Sequence, residues 1–363
     1  MAKNVDTASG FESHLGDIAS LACVAHGVGL GSNLGLFDTI VKLDKPATCE
    51  TIATAAGYRE RYVREWLGLM VTGKIIDYDV TAKTYYISEH KKPFLTEAGK
   101  ERNESIFFSG ISIATNAPKD IEACFKPNGP RGVPYSRYIG FHDWRRAHLK
   151  VTFQWSTVED ALKLTSGLVE TMERGGARVC EAGCSTGIQL CTMAKKYPKS
   201  TFVGVDIDKD AVEAATESAK KLGLSNTTFA VEDGCNMPAD WSNTYDALFV
   251  WDVVHDVPHS AKFLREIVRV LKPGGLFFMM DVDVHTEVGD NMANMHTATL
   301  YGFSLFHCMP VSLYHEGGEG LGAAWGVEKQ RQYLEDAGFV KIQQINRTKD
   351  DGSSYFIAYK RSE

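Results

Sequence analysis

Ala177-Arg178-Val179-Cys180-Glu181-Ala182-Gly183-Cys184-Ser185-Thr186-Gly187 is the stretch whose reading decides the fold. A short run, Arg178-Val179-Cys180, leads into Glu181 and a loop holding Gly183 and Gly187, and Ile188-Gln189-Leu190-Cys191 then reads as a helix. That is strand, tight turn and helix. Glycines let a backbone approach a ligand without a Cβ in the way, and the helix start aims its N–H groups at the same place. A glycine turn also occurs in ordinary α/β sheets, so the next feature adds the weight. Nineteen residues after Gly187, the run Thr201-Phe202-Val203-Gly204-Val205 ends in Asp206, where a nucleotide-binding unit puts the carboxylate that takes ribose hydroxyls.

Outward from this stretch, strands and helices alternate. The pattern predicts strands at 177–181, 201–206, 227–232, 245–251 and 275–281, with helices near 187–196, 209–222 and 260–271. Such alternation implies a parallel sheet with right-handed crossovers. Two last strands, about 339–346 and 354–360, are joined by the polar turn Lys349-Asp350-Asp351-Gly352 and bring in one antiparallel strand. This α/β domain, 175–363, resembles the class I S-adenosylmethionine-dependent methyltransferases, whose Rossmann-like seven-stranded sheet runs in the order 3-2-1-4-5-7-6.

The motifs carry the resemblance one at a time. Glu181 to Gly187 is similar to the family's acidic glycine loop, with Ser185 where a middle glycine is common. Asp206 is similar to the acidic residue that holds the ribose, and Ile207 would lie against the adenine. In Val231-Glu232-Asp233-Gly234, Asp233 resembles the carboxylate that takes the adenine amino group. Trp251, ending Tyr245-Asp246-Ala247-Leu248-Phe249-Val250-Trp251, falls where the family often contacts the cofactor, and Leu271-Lys272-Pro273-Gly274-Gly275 resembles its turn before the fifth strand. The resemblance thus assigns Glu181, Gly183, Cys184, Gly187, Asp206, Ile207, Asp233, Gly234 and Trp251 to the cofactor, with S-adenosylhomocysteine as product. His307-Cys308-Met309-Pro310, Glu316-Gly317-Gly318, Trp325-Gly326 and Ala337-Gly338-Phe339 look like a branch with mycobacterial and nematode members that also carries an N-terminal winged helix.

Methyl transfer from a sulfonium is an in-line displacement, so the protein mainly holds nucleophile, methyl carbon and sulfur in line. A neutral hydroxyl or amine must also lose a proton. His255, in Trp251-Asp252-Val253-Val254-His255-Asp256, lies just beyond a strand's C-terminal end, where ligands sit in such sheets. The stretch is similar to the His-Asp motif of the plant-type O-methyltransferases, in which that histidine is the base; a structural or substrate-orienting histidine is the other reading. An imidazole with an ordinary pKa of about 6.5 would be neutral above pH 7. Asp256 is a candidate to orient the ring, although adjacent residues often point apart. His255-Asp256-Val257-Pro258-His259 has a passing likeness to a metalloprotease zinc helix, but Asp replaces Glu and Pro258 breaks the helical turn, so no metal is expected.

The first hundred residues read as a winged helix. Helices are expected over 14–30, 34–41, 49–56 and 59–72, the third capped by Thr48 and ended by Gly57, followed by short strands at 74–78 and 84–87. A winged helix often reads DNA through the second helix of its pair. Here eleven Lys and Arg stand against twelve Asp and Glu in residues 1–100, and the reading helix mixes Arg59, Arg61 and Arg64 with Glu60 and Glu65. A DNA reader needs uncompensated phosphate contacts. The small-residue helix at 14–30 suits packing against its copy instead, which predicts a homodimer.

Residues 101–174 read as a helical linker, with helices at 104–114 and 158–173 around a Pro- and Gly-broken loop at 126–134. Its aromatic and histidine cluster, Tyr135, Tyr138, Phe141, His142, Trp144, His148, Phe153 and Trp155, either packs the linker or lines a pocket. Tyr138, Trp144 and His148, with His296 and His307 of the insert before the sixth strand, are the candidate substrate contacts; His315 shares that insert.

At 363 residues, 44% hydrophobic and 23% charged, the chain has a globular composition. A formal charge of −7 argues against a general affinity for nucleic acid or anionic membrane. No apolar run is expected to span a membrane, and Met-Ala-Lys-Asn-Val-Asp lacks signal-peptide features. Eight cysteines without a Cys-x-x-Cys pair fit reduced thiols. These features predict a cytoplasmic enzyme with a small-molecule substrate, its acceptor O, N or S. A non-catalytic S-adenosylmethionine-binding transcriptional regulator is the rival, and an NAD-dependent oxidoreductase is disfavoured by the last strands and the Pro-Gly-Gly turn.

Overall fold

In the computed structural model the described residues are 5–152, 155–345 and 352–363. The chain divides into two compact units, Met1–Asn116 with Ile139–Thr152, and Ala117–Tyr138 with Phe153–Glu363. The segment 101–174, expected as one linker, is therefore shared between them.

The first unit opens with α1 (Ala8–Asn33), α2 (Leu36–Lys42), α3 (Cys49–Ala56) and α4 (Glu60–Thr72), then the hairpin β1 (Asp77–Asp79) and β2 (Thr84–Tyr86). Thr48 caps α3 by accepting from the Thr51 N–H at 3.3 Å. Val63, Trp66, Leu67 and Met70, at helical spacing on α4, bury against Phe37, Ile40 and Ile52. The exposed arginines of α4 are engaged within the helix, Arg61 with Glu65 and Arg64 with Glu60. Helix α1 starts earlier than its sequence suggested, and by length and composition it is apolar enough to cross a membrane, against the expectation above.

Gly27, Gly29 and Gly31 do not form an open face either, whereas Gly16, Ala19 and Ala22 are exposed. A Cβ on Gly29 would come within 2.9 Å of the Phe108 backbone, and one on Gly31 within 2.4 Å of the Trp66 ring. These three glycines are spent on packing inside the unit, where the Trp66 indole donates to the Gly27 carbonyl at 2.8 Å. What α1 leaves exposed is a stripe further toward its start, Phe11, Leu15, Ile18 and Leu21.

The second unit is built on seven strands, β3 (Arg178–Ala182), β4 (Thr201–Asp206), β5 (Thr227–Val231), β6 (Tyr245–Trp251), β7 (Leu271–Val282), β8 (Phe339–Ile345) and β9 (Ser353–Lys360). Their spatial order is β5-β4-β3-β6-β7-β9-β8. Counted from β3 as the first, this is 3-2-1-4-5-7-6. β5 to β7 run parallel to their neighbours through β3, and β9 inserts antiparallel between β7 and β8. The central strands are apolar on both faces, as a covered parallel sheet requires.

Several details differ from the sequence reading. β7 begins at Leu271: Tyr245 pairs with Leu271 and Ala247 with Leu276, so Lys272–Gly275 bulge within the strand rather than precede it. The helix expected at 158–173 is two, Trp155–Lys163 and Ser166–Arg174, broken where the Thr165 hydroxyl bonds back to the Leu162 carbonyl at 3.0 Å. Helix Val327–Ala337 was not foreseen. Of the expected turn between the last strands, Lys349, Asp350 and Asp351 lie outside the described residues, as does Phe153 of the aromatic cluster.

Candidate active site

β3 ends in Glu181-Ala182, and the chain turns through Gly183 and Ser185 to Gly187, which caps helix Ile188–Lys196. Gly183, Ser185 and Gly187 all take left-handed backbone, with φ of 73°, 46° and 69°. Ser185 has a Cβ there, a conformation that costs on the order of 1 kcal/mol. It is held by its N–H, which donates to Asp206 Oδ2 at 2.8 Å, while the Asp208 N–H donates to Asp206 Oδ1 at 2.9 Å. A Cβ on Gly183 would meet the Val253 side chain at 2.7 Å. The loop is thus clamped between the ends of β4 and β6.

Two carboxylates serve this turn. Glu181 is buried within β3, and its Oε2 finds no hydrogen-bond partner among the described residues. Burial, reinforced by the charge of Asp206, pushes the Glu181 carboxyl well above the usual range; burial also raises Asp206, against its backbone N–H bonds. Cys184 is buried beside them, and its thiol is raised by the same causes.

Ile207, one residue past β4, is 75% exposed, an apolar side chain held in solvent at a strand end. Asp233 is exposed after β5, with its Oδ1 accepting from the Cys235 N–H at 2.8 Å, and a Cβ on Gly234 would strike the Phe263 ring at 2.5 Å. Trp251 lies deeper, 3% exposed, stacked on Phe249 at 6.0 Å and tilted over Phe278 at 5.0 Å.

Beyond Trp251 the chain turns sharply. Asp252 is left-handed, φ 59°, with its N–H on the Met280 carbonyl at 2.8 Å. The turn delivers His255 into the interior, 3% exposed. Its Nδ1 lies 2.8 Å from Asp281 Oδ1, at the end of β7. Asp281 is itself fixed by the Val282 N–H at 2.8 Å and the Trp325 indole N–H at 3.0 Å. Asp256 folds back rather than pointing away, its Oδ1 3.4 Å from His255 Nε2. Burial opposes a charge on His255, but the carboxylates of Asp281 and Asp256, with hydrogen bonds to Asp281 and Cys308, outweigh it and hold the imidazole pKa well above its ordinary value. The expectation of an unperturbed histidine is corrected accordingly, and the ring is oriented by Asp281 rather than Asp256. Asp281 is the end of an apolar strand, a position that sequence patterning offers; nothing local to His255 points to Trp325 or Cys308.

The substrate candidates separate. Tyr138 is buried, its hydroxyl donating to the Phe306 carbonyl at 2.6 Å and its ring packed edge-on against His307 at 4.6 Å. His307 lies on a π-helical turn, Ser304–Cys308, that also carries Cys308. His296 is exposed. Trp144 and His148 belong to the first unit, where their rings stack at 5.1 Å and the Trp144 indole donates to the Ile106 carbonyl at 2.9 Å.

Residues 173–338 match the family described as "Methyltransferase domain", and residues 22–97 the "Rv2258c-like winged HTH domain". The phthiotriol/phenolphthiotriol dimycocerosates methyltransferase of Mycobacterium tuberculosis is 24% identical over 188 residues, 51% of this chain and 57% of that protein, so the chain spans little more than half the length of such curated relatives. In structure it is similar to human N-acetylserotonin methyltransferase in complex with SAM, at a TM-score of 0.68 and 16% identity, covering 96% of this chain and 97% of that one. The mitomycin 7-O-methyltransferase MmcR matches with a TM-score of 0.71 and 14% identity, over 97% and 98%. Residues 173–338 are thus a methyltransferase domain with a winged helix ahead of it, and the fold is that of the class I S-adenosylmethionine-dependent methyltransferases.

Proposed function

We propose that this chain transfers the methyl group of S-adenosylmethionine to a nucleophile on a small molecule, with His255 as the general base. The carrying observation is the buried His255–Asp281 pair, 2.8 Å apart, placed just past the C-terminal end of β6. With Nδ1 on Asp281, the proton acceptor is Nε2.

The residues present fit the cofactor. Glu181 holds a buried oxygen without a partner among the described residues, and two carboxyls raised by burial, Glu181 also by the charge of Asp206, gain from a cationic ligand. Asp206 spends one bond on each oxygen in the loop and keeps lone pairs for two hydroxyls. Ile207 offers apolar surface to a flat ring and Asp233 an acceptor to its amino group, while the absent Cβ at Gly183 keeps the loop close to β6. When bound, S-adenosylmethionine supplies an electrophilic methyl group on sulfur.

His255 accepts the acceptor's proton at Nε2, and Asp281 stabilises the imidazolium that results. Because the surrounding carboxylates favour that imidazolium beforehand, the neutral base is scarce at neutral pH and turnover rises on the alkaline side. Oxygen is the acceptor atom favoured, supported by relatives named for phthiotriol compounds and by folds of O-methyltransferases. Nitrogen and sulfur are the other acceptor classes. The assembly is a homodimer joined through the apolar stripe of α1, and the acidic balance of the chain suits a cytoplasmic enzyme with neither nucleic acid nor membrane as partner. Incubation with methyl-labelled cofactor and cell extract, followed by identification of the labelled product, tests the reading; no label transferred by the wild type, with cofactor bound, would sink it and favour the regulator.

A further inference from the structure

We propose that His255, Asp256 and Cys308 form a binding site for a thiophilic divalent cation of the zinc class, which on binding takes the Nε2 lone pair and silences the base. The inhibitory consequence rests on the reading of His255 above; the site itself does not.

The donor set comes from two distant stretches. His255 and Asp256 follow β6, and Cys308 ends the π-helical turn of the insert. One donor atom from each, imidazole N, carboxylate O and thiol S, lie within 4.8 Å of one another. The separation of His255 Nε2 from Asp256 Oδ1, 3.4 Å, is long for a hydrogen bond. It equals the edge of a tetrahedron around zinc, about 3.3–3.4 Å for metal–ligand distances of about 2.0–2.1 Å. Asp256 Oδ1 is buried without a hydrogen-bond partner of ordinary geometry among the described residues, and the Cys308 thiol lies within reach of both the Asp256 carboxyl and the His255 ring, so the three donors face one gap. Cys308 and His255 are both buried.

The support behind the histidine is of the kind metal sites use. A metal-ligating imidazole commonly gives its other N–H to a carboxylate, which fixes tautomer and ring orientation. Here Nδ1 faces Asp281, locked by Trp325 and the Val282 backbone. Three protein ligands leave a fourth position open. Coordination releases the Cys308 thiol proton, and any proton on Nε2, to solvent. From the sequence no metal is expected on His255 and His259, and this site does not use that pair: its sulfur arrives from the insert and not from the same turn.

Cobalt(II), which reports thiolate ligation by absorption, is the probe, with zinc measured by equilibrium dialysis on the full chain. One equivalent is expected to bind with a sulfur-to-cobalt charge-transfer band that disappears in Cys308→Ser and persists in Cys23→Ser, the control for the exposed thiol on α1. Cofactor binding by Cys308→Ser confirms that the variant is folded. The absence of a stoichiometric band in the wild type, or its survival in Cys308→Ser, overturns the site. Where methyl transfer is measurable, zinc should depress it at least tenfold and a chelator restore it. A bound metal that leaves turnover unchanged overturns the inhibition, whereas a metal site in a chain without transferase activity counts against the His255 reading alone.

Discussion

Replacing Asp281 by Asn tests the base assignment with little change of shape. Asn keeps an oxygen for the Trp325 indole, the Val282 N–H and the His255 ring, so the bonds around Asp281 Oδ1 survive, while the charge is lost and an NH2 replaces the buried Oδ2, which has no partner among the described residues. A hydrogen bond to a charged group is worth about 1.5–3 kcal/mol, and one pKa unit is 1.36 kcal/mol. The acid limb of the pH–rate profile should therefore move to lower pH in Asp281→Asn. The wild-type limb starts well above the ordinary imidazole range, because the carboxylates around His255 outweigh its burial. The neutral base becomes more abundant at a given pH but intrinsically weaker. The two curves should cross: the variant slower on the alkaline plateau, equal to or faster than the wild type on the acid side. A limb that stays in place, or one that persists in His255→Ala, would refute the assignment.

The same shift has a consequence for stability. A histidine whose pKa is raised on folding contributes stability that is fully present below its unfolded value, about 6.5, and is lost as pH rises through the folded one. The wild type should accordingly exceed Asp281→Asn in melting temperature most at acid pH, and the gap should close on the alkaline side.

Asp206→Ala should weaken S-adenosylmethionine binding by roughly 1.5–3 kcal/mol, read by titration calorimetry, since two hydroxyl acceptors and the anchor of the Ser185 N–H are lost together. Leu15→Glu with Leu21→Glu should convert a dimer to a monomer in light scattering without loss of helix content, because both side chains are exposed on α1; a wild type that is already monomeric ends the dimer proposal. Tyr138→Phe should lower stability by about 1–3 kcal/mol in denaturant titration, the cost of leaving the Phe306 carbonyl unpaired. His255→Ala should cut the rate on the order of a hundredfold or more at alkaline pH while the cofactor still binds; equal rates would favour a sulfur acceptor that arrives as thiolate.

The order of the sheet was legible because its determinants are local. Apolar runs of strand length, a glycine turn and acidic strand ends each occupy a few consecutive residues, and Glu181, Asp206 and His255 all sit where such runs stop. Helix Val327–Ala337 escaped because its buried face is partly polar. Gln330 fills a core position by donating to the Val282 carbonyl at 2.8 Å and accepting from the Ser354 hydroxyl at 2.6 Å, which no apolar periodicity reports. Gly27, Gly29 and Gly31 of α1 were ambiguous for a related reason, since close packing against a neighbouring helix in the same unit and against a second subunit need the same glycines.

The surroundings of His255 were hidden by a backbone event more than by chain separation. Pro310 has no N–H, so the Phe306 carbonyl lacks the partner that an α-helix would supply four residues on. The turn widens instead, with the Met309 N–H reaching back to the Ser304 carbonyl, and the Tyr138 hydroxyl takes the Phe306 oxygen. That widening resets the phase of every side chain that follows. An α-helical projection of Ser304–Tyr314 therefore assigns His307 and Cys308 to the wrong faces. In the structure the first meets Tyr135 and Tyr138 while the second closes on His255, so a single proline and a phenol 172 residues before it decide which group stands beside that imidazole.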